Sequence, residues 1–152
     1  MKKIKLKRFF IMIASAAAVA AINYTIFHTS FVYFALLVLF CHELGHYFAA
    51  RINNIYSDLP YFIPFPVVSL GITHIPNMRN LSNSLKKKIL AYGPITGFMV
   101  SMYFLFLSFI FPSIPTSTFL FLSISEFVFN YFGSDGKKYR SINEQENTLC
   151  IL

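Results

Sequence analysis

The chain has no tryptophan, only two cysteines and only six acidic residues among 152. Two cysteines, Cys41 and Cys150, cannot build a disulfide framework, which excludes a small cross-linked secreted scaffold. Charged residues make up 12% of the chain, too few to solvate the surface of an ordinary soluble domain. The shortage of acids leaves a net charge of +7, a balance that nucleic-acid-binding proteins also show. No nucleic-acid motif and no aromatic–basic repeat accompanies it, so nucleic acid is excluded as a partner. No internal repeat or low-complexity linker divides the chain, and residues 1–152 read as a single domain.

Apolar residues are abundant instead. They make up 56% of the chain, with 19 phenylalanines and a mean hydropathy of +0.59. A soluble core of this size could not absorb so much apolar surface. The expected class is an all-α polytopic membrane protein. Four spans can be drawn, at about 9–27, 31–50, 89–111 and 118–133. The fourth is the shortest and contains Glu126 and Asn130. The basic start, Met1 to Arg8, followed by an apolar run, mimics a signal peptide. The run from Phe9 to Phe27 is long enough to span unaided, so it is expected to stay as a first anchor helix.

Charge orients these spans. All 13 Lys and Arg fall in three places: Lys2 to Arg8, Arg51 to Lys88, and Lys137 to Arg140. The linkers His28-Thr29-Ser30 and Pro112 to Ser117 carry none. Positive-inside asymmetry then puts both termini in the cytoplasm, with a short cytoplasmic tail at 137–152. A bacterial cytoplasmic membrane is the expected location. The tail beyond Ser141 is expected to fray. The segment Leu59 to Pro76 is apolar but holds four prolines and Gly71, so it cannot be one helix. Its β-branched and aromatic residues suit short strands. Non-helical backbone at membrane depth must pack on protein or line a wet cavity. A re-entrant loop or β-hairpin at about 59–76, between the second and third spans, is expected.

The chemistry concentrates in His42-Glu43-Leu44-Gly45-His46, inside the second span. Ionisable groups at membrane depth are costly and call for a functional reason. On a helix, residues four apart differ by about 40° of rotation and roughly 6 Å of rise, so both imidazoles can meet one metal. Glu43 can reach a metal-bound water as general base. The pattern points to metal-dependent peptide hydrolysis within the bilayer. His46 lies on the order of 7 Å along the helix from its cytoplasmic end, so the site should sit toward that side. Cys41 points about 100° away from His42 on a helix and reads as a core residue.

Catalytic zinc usually takes three protein ligands. The candidates for the third are Asp58, His74, Glu126 and Asp135, while His28 faces the opposite side of the membrane. Asp135 fits best. It shares a membrane face with His46, and Gly133-Ser-Asp-Gly136 frees the backbone to turn its carboxylate inward.

These residues resemble the site-2 protease family of intramembrane zinc metalloproteases. His42-Glu43-Leu44-Gly45-His46 is similar to its zinc-binding helix. Pro60-Tyr-Phe-Ile-Pro64, with Gly71 and Ile75, is similar to the hairpin region of one branch. Tyr92-Gly-Pro-Ile-Thr-Gly97 and Ser134-Asp-Gly136 are similar to its Gly-Pro and Asp-Gly motifs. The resemblance spans residues 42 to 136 in the family's order. It implies one Zn2+ per chain held by His42, His46 and Asp135, with Glu43 activating water. It implies a transmembrane or membrane-associated peptide as substrate, unwound and paired as a strand with the proline-rich segment. One departure is plain: the family's Asn-x-x-Pro before the Asp-Gly motif is missing, and no proline lies between Asn130 and Asp135. Two rival readings accompany this one. The first is a catalytically silent homologue that binds hydrophobic peptides, which the short tail after Gly136 favours. The second is a metal transporter, which the apolar outer halves of the first three spans disfavour. The sequence does not set an oligomeric state.

Overall fold

The computed structural model describes residues 6–27, 31–63, 70–76, 78–111 and 116–149. The element order is α1 (Leu6–Phe27), α2 (Phe31–Ile52), β1 (Tyr61–Ile63), β2 (Leu70–Ile72), α3 (Asn83–Ile110), α4 (Thr116–Phe132) and α5 (Ser134–Leu149). Residues 28–30, residues 64–69 of the proline-rich segment, and Cys150 lie outside the described residues. The chain is mostly helical, as its composition demands. Two stretches, Tyr33–Ile52 and Asn83–Ile110, are long and apolar enough to cross a membrane.

Local chemistry sets the element ends. Asn54 adopts φ 59°, a left-handed conformation that asparagine tolerates. The Asn54 N–H then bonds the Arg51 carbonyl at 3.1 Å, and the Ile55 N–H bonds that of Ala50 at 2.9 Å. This is a Schellman stop for α2. Ile55 completes it by packing on Ala49, Ala50 and Ile89. The following prolines forbid a helix, and β1 and β2 form an antiparallel hairpin with Tyr61 opposite Ile72, Phe62 opposite Gly71, and Ile63 opposite Leu70.

α2 and α3 form the most extensive helix pair. α4 packs against both, with Phe119 buried among Val38, Phe34 and Phe104. The Phe34 and Phe119 rings meet edge to face, their centroids 4.8 Å apart. On the other side, α1 packs on the hairpin. Phe62 is buried against Met12 and Val19, and its N–H donates to the Ser15 hydroxyl at 3.1 Å. Large apolar side chains face outward on α1, α2, α3 and α4. Phe10, Phe106, Phe109, Phe121 and Phe132 are each more than half exposed. An apolar surface this extensive is foreign to a water-soluble monomer.

The structure revises two expectations. The third helix starts at Asn83, six residues before the drawn span, because the polar run through Lys86-Lys87-Lys88 continues the helix beyond the apolar stretch. The tail is not frayed over 141–149: α5 runs from Ser134 to Leu149. Its Ile142 is buried and the helix packs against α3, which supplies the tertiary support that a polar 16-residue helix lacks alone.

Candidate metal centre

His42, Glu43 and His46 occupy consecutive turns of α2 and are all buried. The two histidines turn toward α3, α4 and α5. His42 Nε2 lies 3.3 Å from His46 Nε2. Asp135 Oδ2 lies 3.4 Å from the first and 3.0 Å from the second. Among the described residues this is the group of His, Cys, Asp or Glu side chains arranged to hold a metal ion.

Asp135 reaches the site from a helix start, which corrects the expected glycine-freed loop. Gly133 is the break between α4 and α5, and its carbonyl accepts from the Lys137 N–H at 3.0 Å. Asp135 thus sits in the first turn of α5, where a carboxylate also faces the positive end of the helix dipole. Gly136 is inside that turn, and no described glycine has positive φ. Burial alone would raise the Asp135 carboxyl. With no metal between them and the rings protonated, hydrogen bonds and charge from His42 and His46 outweigh burial and hold it well below the usual carboxylate range.

The ligand set fits a metal on chemical grounds. Donors about 2.0–2.1 Å from a tetrahedral zinc stand about 3.3 Å apart. The three measured separations match the edges of such a tetrahedron. The His46 Nδ1–H donates to the Ile89 carbonyl at 2.8 Å, leaving Nε2 with its lone pair toward the cluster. Two facing ring nitrogens and a carboxylate oxygen need a cation or a shared proton between them. α3 is shaped to admit the His46 ring. A Cβ at Gly93 would stand 2.2 Å from His46 Nε2, so no other residue fits there without moving the ligand atom.

Glu43 faces the hairpin. The Thr73 hydroxyl donates to its Oε2 at 2.7 Å and lies 3.0 Å from its backbone carbonyl. Gly71 rests on the same side chain, since a Cβ there would lie 2.4 Å from Glu43 Cγ. Glu43, His46 and Asp135 all line one cleft of about 720 Å³. Ile72 to Ile75, Met78, Ile89, Leu90 and α5 form its walls, and Arg79, Lys86 and Lys138 its polar rim.

The other candidates fall elsewhere. Asp58 accepts an ion pair from Arg8 and lies 3.3 Å from His74 Nδ1, so both belong to the base of the hairpin. His74 lines the cleft without joining the cluster. Glu126 Oε2 is 3.1 Å from His42 Nδ1, the ring nitrogen turned away from the cluster. His28 and the side chain of Asn130 lie outside the described residues. Sequence reasoning did not find Thr73 or the Ile89 carbonyl. A threonine in a loop carries no signal, and a backbone carbonyl carries none at all.

Over 74 residues, 47% of its length, the chain is 42% identical to a protein of Oryza sativa subsp. indica named "Probable zinc metalloprotease EGY2, chloroplastic". The japonica protein of the same name matches equally. The chain is similar to the site-2 proteases. The matched stretch spans 13% of the length of these site-2 protease relatives. No family model and no solved structure matches the chain.

Proposed function

We propose that this chain is an intramembrane zinc metalloprotease that hydrolyses peptide bonds in membrane-spanning or hydrophobic peptides. The observation that carries the proposal is the convergence of His42, His46 and Asp135, two of which line a cleft that Glu43 also lines. Zinc, when bound, supplies a Lewis acid that polarises the scissile carbonyl and acidifies water. His42, His46 and Asp135 hold it. Glu43 takes a proton from the attacking water and delivers it to the leaving amide nitrogen. The Thr73 hydroxyl steadies one carboxylate oxygen of Glu43 for that transfer.

The hairpin offers the substrate an edge. Phe62 turns its N–H to Ser15, so the Phe62–Gly71 pair is non-hydrogen-bonded. Gly71 therefore turns its N–H and C=O away from β1, beside Glu43. An extended peptide pairing with that edge would lay its backbone across the cleft. A helical substrate must first unwind, because its amides are otherwise internally bonded.

The bilayer reading draws on the outward-facing phenylalanines and on the charge distribution. α1 to α4 would cross the membrane, and α5 would lie with the N-terminus on the cytoplasmic side. The hairpin would re-enter from that side, with the cationic rim of the cleft at the water boundary. A bacterial cytoplasmic membrane is the proposed setting.

The test is cleavage of a labelled transmembrane peptide by the full chain in zinc-containing proteoliposomes. Cleavage that stops on chelation and returns with zinc is expected. Peptide binding without cleavage, from protein carrying one zinc per chain, would sink the protease reading and favour a silent peptide-binding homologue.

A further inference from the structure

Glu126 is the one charged residue in α4, a largely apolar helix of 17 residues. A carboxylate there is costly unless something pairs with it. Its Oε2 lies 3.1 Å from His42 Nδ1, and its side chain is largely buried. It is not placed as a ligand, because it meets the nitrogen on the far side of the ring from Nε2. α3 has been hollowed to let it through. A Cβ at Gly97 would lie 2.9 Å from Glu126 Oε2 and 3.3 Å from His42 Cβ.

We propose that Glu126 is a positioning residue for the metal centre, locking the His42 ring and tautomer, with Gly97 providing the space through which its carboxylate reaches the ring. This rests on the metal-site reading above. An imidazole with two nitrogens can present either one. Nδ1–H donation to Glu126 leaves the Nε2 lone pair toward His46 and Asp135. The negative carboxylate also makes that nitrogen a better donor to a cation. His46 obtains the same lock from a neutral backbone carbonyl of α3. The two ligands of one helix are thus held by different helices and different chemistry. Only His42 depends on α4 and on a charge. The second glycine of Tyr92-Gly-Pro-Ile-Thr-Gly97 acquires a physical role from the same contact.

The experiment is zinc affinity of the full chain in detergent, by competition with a chelating indicator, for wild type, Glu126→Gln, Glu126→Ala and Gly97→Ala. Glu126→Ala should weaken zinc binding about 10–100-fold, the range for loss of an outer-shell partner. Glu126→Gln should recover most of that affinity, since an amide oxygen still accepts from Nδ1–H. Gly97→Ala keeps the carboxylate but displaces it, and should weaken binding as Glu126→Ala does. Cobalt substituted for zinc should show an altered visible spectrum in both weakened variants. Circular dichroism separates this from unfolding, and Gly97→Ala carries the test should Glu126→Ala fail to fold. Wild type that binds zinc, with Glu126→Ala at equal affinity and an unchanged cobalt spectrum, overturns the role of Glu126 alone. Folded wild type that takes up no zinc overturns the metal-site reading and this one with it.

Discussion

The two sides of α2 are built differently. Toward α3, α4 and α5 it presents His42 and His46, and each is bonded to a residue far away in sequence. That side is helix on helix, with Phe119 and Ile89 fully buried. Toward α1 it presents Glu43, which meets a hairpin of two three-residue strands. A hairpin that short does not stand alone. It is held by Phe62 on α1, Ser15 on the Phe62 N–H and Thr73 on Glu43. Binding a metal needs donors fixed to a fraction of an ångström, and rigid helices supply that. In the proposed reading, the outer edge of this short hairpin is where an extended peptide would pair.

This division makes graded predictions. The largest effect should come from Glu43→Gln in the proposed reaction. It removes the base and leaves all three donors, so cleavage should fall about 10²–10⁴-fold at full zinc content. Zinc lost along with activity would show that Glu43 serves the metal rather than the water. Gly93→Ala attacks the helical side without touching a charged group. The added methyl overlaps His46 Nε2, and a ligand displaced by about 1 Å should cost on the order of 10²-fold in activity, with zinc affinity falling too. Equal metal affinity in that variant would contradict the close approach of α3 to the ring.

Thr73→Val attacks the hairpin side. It removes a hydrogen bond to a charged group, worth about 1.5–3 kcal/mol. Cleavage should drop roughly tenfold or more by that measure, while zinc titration stays at the wild-type value. If Thr73→Val and Gly93→Ala weakened zinc alike, the two sides of α2 would not be separable. Arg8→Gln should do least. It loses an ion pair to Asp58 at the foot of the hairpin, and Arg8 is half-exposed, so thermal unfolding should register no more than about 1 kcal/mol.

Much of the helical side was legible in the sequence. The four-residue spacing of His42 and His46 needs only helix geometry, and α2 is helical over both. The proline-rich stretch read as strands because proline forbids helix, and β1 and β2 lie within it. Other features were not legible. Asp135 was favoured for its flexible glycines, yet it stands in the first turn of a helix. Glu126 read as a carboxylate in search of some polar partner, but periodicity could not say that the partner was His42, 84 residues earlier. Gly93 and Gly97 matched a family pattern with no reason attached until the His46 ring and the Glu126 carboxylate were seen beside them.

The sequence by itself determined the residue types of the site, the helical register of its two histidines and the apolar character of the surface around it. Each follows from local geometry or from transfer of side chains out of water, and neither requires knowing which elements touch. The tertiary structure alone decided how Asp135 reaches the cluster, which nitrogen of each histidine faces it and which strand lies beside Glu43. Those depend on how closely α3, α4 and α5 approach α2. That approach is set by the small residues between the helices and by packing over long sequence separations, which no local pattern encodes.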